Sequence, residues 1–291
     1  MYKEKYLAVI VAFNRPQHLK RCLECLKIAN DNFKLNIDFK IVIDKDEKRR
    51  DNWIKTVDLS KKSGFNFEIN KKNKGLRNNI LDIIKEFQNS NYHRLIVIED
   101  DILVKNDFFR LFKKMFDNYE TRNDVFQISG FSPLNRDTDD IEFYPRLSTW
   151  GWGVWKNKLP IQEDILIDYR NFKLTSEEEI YYKKYYPDVL KLHRLQKKRK
   201  INSWSLDYLH YMTKNKLVTA YPTKSNIKNI GFDGSGVNMR NSKPFLNLNN
   251  LLFLINKTST VSHRISTRQI FTRYYNNSFI SKVKRKLGIL K

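Results

Sequence analysis

Three consecutive acidic residues, Glu99, Asp100 and Asp101, follow an unbroken apolar run that starts at Leu95. Such a run, with β-branched residues, is typical of a parallel strand buried on both faces, and ligands of open α/β sheets bind at the carboxyl ends of these strands. Three adjacent carboxylates repel one another, and a divalent cation can neutralise them. Mg²⁺ or Mn²⁺ is commonly held by one or two carboxylates together with substrate phosphates. The pattern therefore predicts a metal and phosphate site at the end of this strand.

The alternative for these acidic residues is a solvated turn or a helix cap, since Asp is common at helix starts. The next helix is predicted to begin near residues 106–109, where Asn106 can serve as the cap. The acidic residues are then left without a capping role, which favours the metal site.

Cys22 and Cys25 form a C-x-x-C motif that could indicate zinc or redox chemistry. No second cysteine pair accompanies them, and they lie within a helical pattern. We expect them to be core or half-buried helical thiols.

The elements that must position the acidic residues alternate between strand and helix. Strands are predicted at residues 6–13, 39–43 and 65–69 and in the run 94–104; helices are predicted from Pro16, near residues 53–59 and over residues 78–88. This alternation predicts an α/β fold with a mostly parallel sheet and right-handed crossovers. A chain of 291 residues suits one large domain with an appendage.

Composition narrows the class further. Hydrophobic residues make up 41% of the chain, as in globular proteins. No apolar run is long enough to span a membrane, and residues 7–13 belong to a strand and not to a signal peptide. We expect the protein to act in the cytoplasm.

The formal net charge of +23 suggests an anionic partner. Because the basic residues are spread along the chain and no helix-turn-helix, zinc-finger or RNA-recognition pattern occurs, no nucleic-acid partner is expected. The segment 279–290 mixes basic and apolar residues as interfacial helices do, which favours peripheral attachment to an anionic membrane surface. A solvated basic tail is the alternative.

Several segments resemble glycosyltransferases of the GT-A fold, which has a Rossmann-like sheet. They are residues 12–16 (AFNRP) after the first strand, Asp44 after the second, and residues 98–102 (IEDDI) followed by 106–109 (NDFF). Within that class the acidic motif is similar to that of the N-acetylglucosaminyltransferase I type. Residues 127–131, 148–155 and 204–208 more loosely resemble the acceptor half of bacterial polysaccharide sugar transferases, and the last part of the chain shows no likeness.

The resemblance implies roles for the acidic residues. Asp101 would bind the metal, and Glu99 and Asp100 would contact the ribose and the donor sugar. The cofactors implied are Mn²⁺ or Mg²⁺ and a nucleotide-sugar donor, for which a UDP-sugar is expected.

Three further residues are donor-site candidates. Asp44 matches a position that contacts the nucleotide base, and Arg15 matches an arginine near the base or the phosphates. Arg77 precedes a predicted helix, where a phosphate or the ribose would meet both a cation and helix N–H groups. For each of them the alternative is a surface charge or a cap.

An inverting transfer needs a base for the acceptor hydroxyl, and Asp207 lies where the resemblance places an aspartate at a helix start. Leu206 stands where the animal enzymes have a second acid. Stabilisation of the helix N-terminus is the alternative role.

Tryptophans and a glycine-rich segment complete the candidates. Trp150, Trp152 and Trp155 could pack in a core or stack on sugar rings, and Trp152 is the one we expect to contact the donor. Residues 229–236 contain three glycines, which predicts a mobile loop that closes over the donor.

Together these observations predict a metal-dependent, inverting GT-A glycosyltransferase that builds a bacterial surface glycan on a glycan or lipid-linked acceptor. The expected domains are residues 1–240, with a nucleotide-sugar half (1–112) and an acceptor half (113–240), and a helical basic extension over 241–291. Two alternatives stay open. A nucleotidyltransferase would normally carry a Gly-rich phosphate loop, which residues 9–16 lack; a non-catalytic basic-surface binding module would not need the acidic residues.

Overall fold

The computed structural model describes residues 4–134, 136, 138–236, 266–272 and 274–275. The strands are β1 (Tyr6–Ala12), β2 (Ile37–Ile43), β3 (Asn66–Ile69), β4 (Arg94–Glu99), β5 (Ile102–Val104), β6 (Val125–Ser129), β7 (Ile141–Tyr144), β8 (Trp152–Trp155), β9 (Val218–Pro222) and β10 (Ile227–Asn229). The α-helices are α1 (Pro16–Asn32), α2 (Arg50–Lys62), α3 (Gly75–Gln88), α4 (Phe108–Tyr119), α5 (Ser176–Tyr185), α6 (Pro187–Lys197) and α7 (Ser205–Lys214).

Eight of these strands form one sheet in the order β3-β2-β1-β4-β8-β6-β9-β7. The pairs β3–β2, β2–β1, β1–β4 and β6–β9 are parallel, whereas β8 runs antiparallel to β4 and β6, and β7 runs antiparallel to β9. The small antiparallel pair β5–β10 lies outside this sheet. The predicted class, an α/β fold with a mostly parallel, Rossmann-like sheet flanked by helices, is confirmed.

The central strand β1 shows why the sheet is covered on both faces. All seven of its residues are buried. Tyr6, Ala8 and Ile10 join one hydrophobic cluster and Leu7 and Val9 join the other, because successive side chains of a strand point to opposite faces. A continuous apolar run is the pattern that such a doubly covered strand requires.

The prediction of a buried strand that ends at the acidic residues is confirmed, because β4 ends at Glu99; the chain then turns, and the apolar residues that follow form β5, which pairs with β10. One prediction nearby needs correction. Asn106 does not cap the next helix, because α4 begins at Phe108 with Asp107 at its N-cap position and no side-chain capping bond. The acidic residues themselves still lie outside any helix.

The thiols are placed as expected. Cys22 and Cys25 are free cysteines within α1, the first buried and the second partly buried. Burial raises the pKa of both, so neither is an activated thiolate.

Part of the predicted extension packs into the fold. Phe271 is 1% exposed; its ring stacks on Tyr144 of β7 at a centroid distance of 4.1 Å and lies 4.8 Å from Tyr221 of β9. The described residues after 265 therefore add to the core beside these strands and do not stand apart from it. The basic segment 279–290 lies outside the described residues.

Within the described ranges, no helix combines the length and the apolar character that crossing a membrane requires.

Candidate active site

The acidic residues lie at the carboxyl end of β4, next to the end of β1. The backbone N–H of Asp100 donates to the carbonyl of Val11 at 3.0 Å, which fixes the turn against β1. The N–H of Phe13 approaches Asp100 Oδ2 at 3.4 Å. These two contacts hold the turn rigidly, because both of their partners belong to the end of β1 or follow it directly.

Arg15 supplies a positive charge to this cluster from the residue that precedes α1. Its Nη1 lies 2.8 Å from Asp101 Oδ2, and its Nη2 pairs with Asp100 Oδ1. Only 15% of the Arg15 side chain is exposed, so the ion pairs form largely out of water. Two residues predicted for the donor site, Arg15 and Asp100, are thus brought together with the predicted metal ligand Asp101.

One arginine does not neutralise three carboxylates. Burial and then the neighbouring Asp101 raise the pKa of Glu99 to about 8, against the opposing charge of Arg15. Burial also raises the pKa of Asp100 to about 6, although Arg15 again acts in the other direction. Near neutral pH the cluster therefore retains protons that exposed carboxylates would have released.

Asp101 offers a ligand atom for a cation. Its Oδ1 is buried and has no hydrogen-bond partner, while Oδ2 is occupied by Arg15. Across the described ranges no group of three or more His, Cys, Asp or Glu side chains is arranged to hold a metal ion. The unpartnered Oδ1 of Asp101 fits a Mg²⁺ or Mn²⁺ ion that takes one carboxylate oxygen from the protein and others from a bound phosphate.

The glycine-rich segment lies directly on this cluster. Ile230 donates its N–H to the carbonyl of Asp101 at 2.8 Å, and a single 3₁₀ turn, Gly231–Asp233, follows. A Cβ at Gly231 would collide with Asp101 Oδ2, so any larger residue there would have to displace that carboxylate or the turn itself. His18 Nε2 of α1 contacts Asp233 Oδ2 at 3.1 Å and links the far side of the turn to α1.

Asp44 lies at the end of β2 as predicted, and its carboxylate is engaged by the start of α3. Its Oδ1 accepts hydrogen bonds from the N–H of Lys74 at 2.9 Å and from the Asn70 amide at 3.1 Å, and its Oδ2 accepts from the N–H of Gly75 at 2.8 Å. These contacts account for its burial. Contact with a nucleotide base stays a prediction.

Arg77 and Asp207, predicted for separate roles, form an ion pair. Arg77 Nη1 contacts Asp207 Oδ2 and donates to the carbonyl of Ser203 at 2.7 Å. The side chain of Asp207 is fully buried, and Ile167 N–H approaches its Oδ1 at 3.4 Å. Burial raises its pKa, which Arg77 and hydrogen bonds oppose. Asp207 lies at the third position of α7, so its place at a helix start is as expected.

Trp152 differs from the prediction that it contacts the donor. It lies in β8 and is 3% exposed, and its ring packs 5.2 Å from that of Trp204. Trp155 is also in the core, where its Nε1 donates to the carbonyl of Phe116. Trp150, which is half-buried, lies closest to the glycine-rich turn, with its ring 5.7 Å from Phe232.

Sequence reasoning missed the part that His18 plays and the pairing of Arg77 with Asp207. His18 follows Pro16 on an ordinary helical turn, and nothing in its neighbours indicates a distant partner. The glycines of residues 229–236 did mark the segment that meets the cluster.

No family model and no curated protein sequence matches the chain. Among solved structures it resembles the mannosyltransferase PcManGT from Pyrobaculum calidifontis in complex with GDP-Man and Mn²⁺, at 8% identity over 53% of this chain and 45% of that chain, with a TM-score of 0.38. It also resembles TarS 1-349 of S. aureus, at 9% identity over 97% of this chain and 73% of that chain, with a TM-score of 0.45. A third similar structure is a cytidylyltransferase from Leptospira borgpetersenii, at 17% identity over 53% of this chain and 61% of that chain, with a TM-score of 0.36.

This chain spans less than half of the length of PcManGT. All three TM-scores are below 0.5, and proteins named for the transfer of different groups appear among them. We therefore assign neither a family nor an activity from these similarities. The chain's own sheet defines a Rossmann-like α/β protein, and its Asp100 and Asp101 are buried together at the carboxyl end of β4.

Proposed function

We propose that the chain is a glycosyltransferase that moves a sugar from a nucleotide-diphosphate donor, a UDP-sugar, to a glycan or lipid-linked glycan in bacterial surface polysaccharide synthesis. The observation that carries this proposal is the unpartnered, buried Oδ1 of Asp101 at the carboxyl end of β4. An unpaired carboxylate oxygen in such a place is costly unless a ligand completes it.

In this proposal the metal-binding residue is Asp101, and Glu99, Asp100 and Arg15 face the donor. A bound Mn²⁺ or Mg²⁺ ion would supply Lewis-acid stabilisation of the departing diphosphate. Arg15, already paired with two of the carboxylates, would orient the phosphates through its planar guanidinium. Gly231 allows the turn above Asp101 to exclude water from the donor.

Asp207 is the proposed base of an inverting reaction. A raised pKa makes a carboxylate a better proton acceptor, and burial raises that of Asp207. Because Ile167 and Arg77 enclose the carboxylate, the proposal includes displacement of the Ile167 backbone when the acceptor binds.

Calorimetric titration with UDP, GDP, CMP and TDP, first with Mn²⁺ and then with a chelator, tests the donor half of the proposal. Metal-dependent binding of UDP in the micromolar range supports it. Absence of binding to all four, in a folded sample, refutes it and favours the basic-surface module. Pyrophosphate release from a nucleoside triphosphate and a sugar phosphate would favour the nucleotidyltransferase.

The base is tested with Asp207→Asn, which keeps the size of the side chain. We expect UDP affinity within about threefold of the wild type and a loss of turnover of at least about a hundredfold. Asp188→Asn is a control, since that carboxylate pairs with Arg146 in a comparable buried ion pair elsewhere. Full turnover in Asp207→Asn would remove Asp207 from the mechanism.

We also propose a cytoplasmic location with peripheral attachment to the membrane through the basic residues of segment 279–290. Co-sedimentation with vesicles containing phosphatidylglycerol should exceed that with phosphatidylcholine alone, and replacement of Lys282, Lys284, Arg285 and Lys286 by Gln should abolish the difference. Equal sedimentation of wild type and variant would contradict the attachment.

A further inference from the structure

A cleft of about 700 Å³ lies between α5, α7 and the segment that connects β8 to α5. The residues that define it include Ile167 and Phe172 on the connecting segment, Glu178 on α5, and His210 and Tyr211 on α7. Its volume is in the range of small-molecule sites. Among the roles proposed above, only the displacement of the Ile167 backbone involves a residue of this cleft.

The walls of the cleft are held by specific contacts. The Glu178 carboxylate accepts a hydrogen bond from the backbone N–H of Thr175 at 2.8 Å, and the backbone N–H of Glu178 donates to Thr175 Oγ1 at 3.2 Å, which forms a capping box at the start of α5. His210 Nε2 lies 3.7 Å from Glu178 Oε1, and the ring of Phe172 meets that of His210 edge-on at 4.9 Å. The aromatic wall is therefore fixed in orientation by both helices.

The charge of the cleft differs from that of the whole chain. Carboxylates of Asp164, Asp168 and Glu178 line it alongside the amines of Lys173 and Lys214. In a chain of net charge +23, a cavity with this near balance of signs does not favour a polyanion. It suits a neutral ligand with many hydroxyl groups.

The polar and aromatic groups have the chemistry that binds a sugar ring. Phe172 and Tyr211 are half-buried, so each retains an accessible part of its ring, while the amides of Asn171 and Asn215 are exposed at the rim. An aromatic face packs on the C–H face of a sugar, and amides and carboxylates pair with its hydroxyls.

One residue that lines the cleft contacts the proposed base. Ile167, a lining residue, points its N–H at Asp207 Oδ1, and Asp207 in turn pairs with Arg77 near the start of α3. We propose that this cleft is the acceptor site and that it binds a neutral sugar unit of the acceptor glycan. This inference rests on the proposed glycosyltransferase function.

Saturation-transfer difference NMR on the full chain tests the cleft without turnover. The probes are methyl β-D-glucopyranoside, methyl β-D-galactopyranoside, methyl α-D-mannopyranoside and methyl N-acetyl-β-D-glucosaminide. We expect at least one to bind, and Phe172→Ala to weaken it about tenfold because the aromatic face is lost. Phe172→Tyr, which keeps the ring, should bind like the wild type.

The matched control is Phe67→Ala, which removes a Phe that is 40% exposed on β3, away from the cleft. Its sugar affinity should equal that of the wild type. Binding of none of the four sugars, or equal binding by folded Phe172→Ala and wild type, overturns the proposal. If Phe172→Ala fails to fold, Asn171→Ala on the exposed rim gives the same comparison, and affinity equal to the wild type again overturns it.

Titration of UDP with Mn²⁺ on the same samples separates the two proposals. Nucleotide binding without sugar binding overturns the acceptor cleft and leaves the glycosyltransferase function standing. Sugar binding at the cleft without any nucleotide binding overturns the acceptor role, because the transferase on which it rests has then failed.

Discussion

At each end of β4 one arginine lies among three acidic residues, but the exposure of the acids differs between the two ends. At the start, the guanidinium of Arg94 is buried, and its N–H groups donate to Tyr6, Asp117 and Glu4 at 2.6 Å and to Glu120 at 3.1 Å. The three carboxylates are 36–41% exposed. Partial burial raises the pKa of Asp117, but hydrogen bonds from Lys113 and Arg94 outweigh it, so the pKa is lowered.

At the other end the acids are buried instead. Asp100 and Asp101 surround Arg15, one oxygen of Asp101 has no partner, and the pKa values of Glu99 and Asp100 are raised. The three acids around Arg94 are partly exposed, so water solvates their outer side and the cluster is a structural ion-pair network. Asp100 and Asp101 are buried around one cation and lack that solvation, which is what a site for a cationic or metal-bound ligand requires.

The sharpest test of this difference is to neutralise one acid at each end. Asp101→Asn should abolish metal-dependent UDP binding, a loss of more than about a hundredfold, because it removes the charge of the carboxylate whose buried oxygen has no partner. Asp117→Asn should leave the affinity unchanged and lower the free energy of unfolding by about 1 kcal/mol or less. Calorimetry and urea denaturation measure the two quantities. Equal affinities in both variants would contradict the assignment.

Removal of the buried cation at the start of β4 should affect stability and not binding. Arg94→Met leaves three carboxylates without their common partner, and we expect the free energy of unfolding to fall by about 3 kcal/mol. UDP affinity of the folded protein should not change. Arg122→Met, which breaks the exposed pair with Asp124, should cost less than about 1 kcal/mol. Weaker UDP binding by Arg94→Met at a temperature where the variant is folded would contradict a purely structural role for this end of β4.

A methyl group added above the cluster should weaken the site by an intermediate amount. In Gly231→Ala the new Cβ must displace Asp101 Oδ2 or the turn itself. We expect UDP affinity to fall about tenfold and the free energy of unfolding to fall by about 1–3 kcal/mol. Ser235→Ala, which removes a hydrogen bond to Asp233 without adding atoms, should keep its affinity. Unchanged affinity in Gly231→Ala would show that the turn does not cover the site.

The pH dependence of stability should differ in sign between the two ends. Because the pKa of Glu99 is raised to about 8 from 4.5, the folded chain holds a proton that the unfolded chain has released, so the free energy of unfolding falls as pH rises towards 8. His193 in α6 lies at neither end, and its burial lowers its pKa to about 4. Below pH 6.5 it therefore makes the free energy of unfolding rise with pH.

The measurement is therefore made between pH 6.5 and 8 by thermal unfolding in the presence of a chelator. Glu99→Gln should reduce the decline. A wild-type stability that rises over this interval, or a variant with the same slope, would refute the predicted titration. Asp117 has a lowered pKa and contributes a rise only at acidic pH, below this interval.

The first half of the fold could be predicted from the sequence because its information is local. An apolar run gives β1, and a 3.6-residue stripe gives α3, whatever their neighbours. The strand β5 could not be separated from β4, because a three-residue strand exists only through its pairing with β10, more than a hundred residues later.

In the candidate site, too, the features encoded by local sequence could be predicted and those that depend on distant contacts could not. The composition of the strand end indicated that Asp101 and Asp100 belong to a ligand edge, whereas the pairing of Arg77 with Asp207 depends on how two distant helices meet. Trp152 was misplaced because an aromatic residue next to glycine fits a core strand and a sugar platform equally well. Only the packing of Trp204 on its ring decides between them.

The packing of Phe271 on Tyr144 and Tyr221 bears on where the chain can be cut. A fragment ending at residue 240 would leave these two tyrosine rings uncovered and would lose a buried phenylalanine, worth about 1.5–3 kcal/mol. Such a fragment would expose an aromatic patch beside the outermost strand of the sheet and would be prone to self-association. Shortened forms of this protein should therefore retain the residues up to 275.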